Sequence, residues 1–118
     1  MGNPTLIKNY VAEGAISACR IVKFGTFDGQ VKQAAAKTDL LVGVNEALPV
    51  VDGERVDVVH AGITDIEFGG TVSHGAPVTA DAQGRAIAAA AGDRVIGMAI
   101  HNAAAGDIAP VLLTPGAA

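Results

Sequence analysis

A pattern written twice, about 54 residues apart, sets the strongest limit on what this chain can fold into. The first copy opens at Phe27, Asp28 and Gly29, crosses the alanines 34–36 to Asp39, passes the apolar residues around Gly43, and closes at Gly53 and Glu54. The second opens at Ala80 and Asp81, reaches Gly84, crosses the alanines 88–91 to Asp93, passes the apolar residues around Gly97, and closes at Gly106 and Asp107. Each copy places an Asp-bearing turn before a small-residue stretch, then an Asp, an apolar run with one glycine, and a Gly-acid turn. Glycine accepts the positive φ of tight hairpin turns, and Asp satisfies nearby backbone N–H groups, so the pattern reads as one β-hairpin unit used twice.

Strands follow from the apolar alternation between these turns. A short one is expected over residues 5–10 and another over 16–24, then 40–47, 55–60 and 63–68. The second half repeats the scheme over 76–80, 85–89, 94–101 and 107–113. Alanine is the best helix former, but Gly84, Gly92, Gly97 and Gly106 interrupt the alanine-rich region too often for more than one helical turn, near residues 102–105. The expected fold is therefore all-β: a small β-barrel-like domain with an extended N-terminal arm and a pseudo-duplicated hairpin unit. Residues 1–7 are expected as a flexible arm, 8–115 as the single β domain and 116–118 as a C-terminal tail. Gly43 and Gly97 occupy matching places in apolar strands, either as a bulge, bend or close backbone approach, or as simple small-residue packing.

The apolar half of the 118 residues is unusual in kind, with 15 glycines, three Phe, one Tyr and no Trp. An alanine contributes about 0.8 kcal/mol at most on burial. A chain so poor in large side chains gains from burying a further face, which points to self-association. The alanine-rich faces at Ala34, Ala35 and Ala36 and at Ala88, Ala89 and Ala90 are the candidate self-contacts, because small side chains let backbones approach.

Several function classes find no footing. The net charge is −4 with basic residues scattered singly, so nucleic-acid binding has no electrostatic footprint. No apolar run is long enough to span a bilayer, and no secretory signal opens the chain. Cys19 alone cannot form an internal disulfide and is expected buried and inert on a strand. His60, His74 and His101 lack thiolate or carboxylate company at ligand spacing, so no metal or cofactor is expected. Ser17 and Ser73 lack a nucleophile elbow, and no phosphate-binding glycine frame is present. Asp28, Asp39, Asp52, Asp81, Asp93 and Asp107 recur at turns, as turn chemistry demands.

The segment Lys8, Asn9, Tyr10, Val11, Ala12, Glu13, Gly14 resembles the start of capsid cement, or head decoration, proteins of tailed phages and prophages. The likeness continues through Gly84, Arg85, Ala86, then Val95, Ile96, Gly97, Met98, Ala99, and the alanines 103–105 before Gly106 and Asp107. It covers residues 8–115, and a more distant likeness to lambda-like head decoration proteins covers 20–44. The resemblance implies a β-clip or small-barrel fold, trimers at three-fold positions of the shell, the major capsid protein as partner, and no catalysis. Such a protein would be made in the host cytoplasm and end on the outer surface of the virion. An extended arm could then add a strand to a capsid subunit. Asn3, Pro4, Thr5, Leu6, Ile7, Lys8, Asn9 and Tyr10 are the candidates for it. The runner-up function is a surface-exposed module for glycan or host-receptor adhesion, which the scarcity of aromatic residues disfavours.

Overall fold

Alternating small and β-branched residues produce nine strands in the computed structural model, which describes residues 3–46 and 48–117. They are β1 (Asn3–Ala12), β2 (Arg20–Phe24), β3 (Gln30–Gln33), β4 (Leu41–Asn45), β5 (Arg55–Glu67), β6 (Pro77–Ala80), β7 (Ala86–Ala88), β8 (Arg94–Ala99) and β9 (Ile108–Ala117). No helix occurs among the described residues, including 102–105, where one turn was expected. The arm and tail are drawn into the sheet as far as they are described, with Asn3 opposite Ile63 and Ala117 opposite Arg94. Met1, Gly2, Ala47 and Ala118 lie outside the described residues.

The strand order β1-β3-β2-β4-β5-β9-β8-β6-β7 explains the repeated sequence. The pairings β2–β3, β2–β4 and β4–β5 return as β6–β7, β6–β8 and β8–β9, all antiparallel. In the first unit β1 pairs β5 antiparallel and β3 parallel, which closes a five-stranded barrel. In the second the end of β5 takes the part of β1. It pairs β9 antiparallel, and Phe68 meets Ala86 of β7 through a parallel bridge. The repeated element is thus a whole barrel-like unit rather than a hairpin, and β5 belongs to both copies.

Gly62, at φ +94°, lets one strand serve both the barrel and the barrel-like second unit. Before it Val56 and Val58 point into the first lumen while Val59 joins the larger core; after it Ile66 and Phe68 are the residues that join that core. The phase of alternation has shifted by one residue, which a non-glycine residue would resist at this φ. Sequence reading separated 55–60 from 63–68 at this place. The first lumen holds Tyr10, Ala12, Ile16, Val22, Val31, Val56 and Val58. The larger cluster unites the interior of the second unit, including Ile66, Phe68, Val78 and Ile96, with Ile21, Leu41, Val44 and Val59 from the outer wall of the first barrel.

Four turns share one wiring. The N–H groups of Phe27, Val51, Ala90 and Ala104 donate to the side chains of Gln30, Glu54, Asp93 and Asp107, at 3.1, 2.8, 2.9 and 2.9 Å. The backbone closes the same loops, as in Asp93 N–H to Ala90 O at 3.0 Å, and a positive-φ glycine occupies the third position of each. The turn aspartates do satisfy nearby backbone N–H groups, but in two ways. Asp81 reaches two residues ahead, onto Gln83, whereas Asp93 and Asp107 reach three residues back.

Gly43 and Gly97 have the same reason to be glycine. A Cβ on Gly43 would lie 2.5 Å from Val59 O, and one on Gly97 would overlap Leu112 O. Close backbone approach, with a register shift beside each, therefore explains both. Gly43→Ala and Gly97→Ala should each lower stability by about 3 kcal/mol, read as a lower urea midpoint with an unchanged m-value. A loss under 0.5 kcal/mol would contradict the contact.

Candidate functional site

Chemistry has little to build on among the described residues, where no group of three His, Cys, Asp or Glu side chains could hold a metal. Cys19 lies in a turn at φ +59° rather than on a strand, because β2 starts only at Arg20. Its half-buried thiol donates to Glu46 O at 3.4 Å, and burial, with Asp65 and Glu46 nearby, pushes its pKa up. Such a thiol is a poor nucleophile. His74 accepts a local role beside Asn102 Oδ1, and His60 is tied into the first barrel.

The open edge of β1 is the feature that stands out. One edge of β1 pairs β5 from Asn3 to Val11, while the other meets β3 only at Val11 and Ala12. Val11 N–H donates outward to Gly29 O at 2.9 Å and Ala12 N–H donates the opposite way, to Glu54 O at 2.8 Å. Backbone groups alternate along a strand, so Asn9 and Ile7 turn their N–H and C=O groups outward, where no strand among the described residues pairs with them. Leu6 and Ile7 stand 55% and 52% exposed on this strand.

Beside the end of that edge sits the β2–β3 turn, residues 25–29. Phe24 and Phe27 are 51% and 72% exposed there, and residues 24–29 line a recess of about 280 Å³. The Phe24 ring meets Tyr10 edge-on at 6.4 Å. Glu13 fixes the turn by accepting Thr26 N–H and Thr26 Oγ–H, both at 2.7 Å, and these bonds hold its carboxyl below the usual value of 4.5. The turn is thus clamped to the residue that follows β1.

The predicted arm residues separate into two kinds. Tyr10 is only 6% exposed, so its ring belongs to the first lumen and cannot be an outer contact. His60 Nδ1–H donates to Val42 O at 2.8 Å, because a carbonyl only accepts, and Tyr10 Oη lies 2.8 Å from His60 Nε2 in a second hydrogen bond. Lys8 covers the Tyr10 ring at 5.5 Å, and Asn9 Nδ2–H donates to Asp57 at 3.0 Å. Leu6 and Ile7 remain free to touch a partner. For Asn3, Pro4 and Thr5 the backbone alone is described.

The alanine sites also divide. Ala34 is 0% exposed, in the larger core, so it is removed from the self-contact set. Ala35, Ala88 and Ala90 are exposed, and Ala36 and Ala89 half-buried. Arg94 N–H donates to Lys37 O at 2.9 Å, which sets the turn after Ala36 beside the turn after Ala90. Asp39 organises the first of these turns by accepting Ala35 N–H, Ala36 N–H and Lys23 Nζ, at 2.9, 3.0 and 3.1 Å. Burial pushes the Asp39 carboxyl up, but the two N–H bonds and Lys23 outweigh it, and its pKa lies below the usual 3.8. Sequence reading missed Phe24 and Phe27 as exposed features, although a Phe directly before an Asp-Gly turn was the available signal.

Comparison with known proteins finds a family described as phage cement protein over residues 2–113. Among solved structures, the N base of the bacteriophage phi29 head fiber gp8.5 superposes with a TM-score of 0.73 at 18% identity, over 92% of this chain and 93% of that one. At that identity the likeness is one of fold. Curated protein sequences give no match.

Glu13 and Asp39 predict the acid limb of stability. Both folded-state pKa values are lowered, so their contribution is complete above the ordinary carboxylate range and is lost as pH falls through the folded values. The melting temperature should therefore drop below pH 4.5. Asp39→Asn should flatten part of that drop and cost about 1 kcal/mol near neutral pH, as loss of a comparable side-chain cap does. A pH profile identical to wild type would remove Asp39 from this account.

Proposed function

Because this chain belongs to the phage cement protein family, we propose that it decorates the outside of a phage head as trimers at three-fold positions and stabilises the shell by bridging copies of the major capsid protein. The observation that carries the reading is the unpaired outer edge of β1, with exposed Leu6 and Ile7 beside it. Main-chain hydrogen bonds to such an edge give affinity with little sequence demand. An edge this long is otherwise an aggregation hazard, and Lys8 is the kind of residue that blunts it. Nucleic acid and membrane have no part in this reading, and the protein is made in the host cytoplasm before it joins the virion.

β1 contacts the shell from within its own barrel. Removing residues 1–9 would delete much of a barrel strand, so the test has to spare the fold. Asn9→Pro removes an outward N–H and leaves the β5 pairing intact, as proline on a strand edge can. Binding to undecorated heads should weaken about tenfold, the worth of one or two hydrogen bonds. Lys8→Pro removes an inward donor and should instead lower the melting temperature. Full binding by the Asn9 variant would sink the β1 reading.

Trimerisation rests on Ala35, Ala36, Ala88, Ala89 and Ala90, whose two turns lie side by side, with Lys37, Thr38 and Arg94 exposed around them. Three-fold association closes on itself. Sedimentation of the wild type should give a trimer and Ala90→Glu a monomer. A wild-type monomer at high concentration would contradict the self-contact.

A further inference from the structure

Two of the three Phe side chains in this chain face solvent, which a small core can ill spare. Phe24 and Phe27 flank the point where the open edge of β1 ends, for Gly29 O takes the Val11 N–H there. Aromatic side chains in such places are typical binding anchors. The corresponding turn of the second unit, residues 81–84, has no aromatic residue and is already covered: Gly84 O accepts Ile21 N–H at 2.8 Å, and Gln83 O accepts Arg20 Nη1–H at 2.9 Å. One turn is spent on holding the two units together, and its twin is unspent.

The second unit also shows what the edge of β1 is shaped to receive. There the counterpart of β1 is the later half of β5, whose corresponding edge carries β1, antiparallel, at Gly62 and Ile63, opposite Pro4 and Asn3, while Asp65 N–H goes to Glu46 Oε2 and Glu67 N–H to Cys19 O. That edge accepts an antiparallel strand within this very molecule. A second copy of the chain is ill suited to supply the rest of the contact. Val22 and Val78 are counterparts, opposite Gly43 and Gly97, so Pro77 stands where Ile21 stands and has no N–H to offer a neighbour's turn.

We propose that the outer edge of β1 receives an extended, antiparallel strand of a capsid subunit, and that Phe24 and Phe27 anchor an apolar side chain of that strand in the recess beside them. This rests on the capsid-binding reading above and adds the direction of the strand and its anchor. The partner is thus an extended segment with free main-chain groups and a large apolar residue near one end.

The test uses the full chain on undecorated heads. Phe27→Asp changes a side chain that is 72% exposed, so the fold should survive, with an unchanged melting temperature. Its affinity for heads should fall roughly thirtyfold, as for an interface hot spot. A photoreactive phenylalanine at Ile7 and, separately, at Asn9 should cross-link the capsid subunit, with the Asn9 probe labelling a residue earlier in that sequence than the Ile7 probe. Wild-type affinity in the Phe27 variant, the reverse order of labelling, or cross-links only between copies of this chain would each overturn the proposal. If wild-type protein binds heads in those cases, the decoration reading stands without it. If wild-type protein leaves heads bare, the decoration reading falls as well.

Discussion

One strand bears the burden of belonging to both units at once. β5 closes the first barrel against β1 and opens the second unit against β9, and Gly62 moves its side-chain phase by one residue between the two duties. If the alternation had continued unbroken, Thr64 and Ile66 would point away from the core in which they are buried. The two units therefore share a backbone, a core and a register. The fold leaves little room for hinge motion between them.

The second constraint is economy of side-chain volume. With glycine and alanine in so many core-lining places, strands approach until Cβ atoms would touch backbone, as at Gly43 and Gly97. Stability then leans on backbone geometry: the turn carboxylates, the Asp39 cluster and the Tyr10–His60–Val42 chain all tie main-chain segments that side-chain packing alone would hold weakly. The few large residues divide between the inside and the outside, Phe68 buried and Phe27 exposed, which makes the exposed ones informative.

Much of this could be read from the residues. The twofold pattern, the all-β class and most strands follow from Gly-acid turns and alternation. What escaped was long-range. Residues 30–33 have no clear alternation and become β3 because β2 and the end of β1 offer partners. Residues 16–19 alternate well, yet Ile16 makes a single bridge to Val50 and Cys19 turns at positive φ, since Glu67 N–H claims Cys19 O. Tyr10 and Ala34 looked like surface because neither residue type declares its side. Only the barrel's closure places one in a lumen and the other under Gly84. The open edge of β1 could not be seen in sequence at all, being defined by the strand that is not there.

The β1–β5 pairing also sets an order in time. β1 is synthesised before the other described strands, and Arg55, the partner of Val11, follows only after β2, β3 and β4. Until then β1 lacks its longest pairing, and a contact so distant in sequence forms slowly because a long loop must close first. The same topology retards the reverse process, since the barrel cannot open without parting its most distant strands. A protein of modest core can in this way last far longer than its equilibrium stability suggests, through slow unfolding.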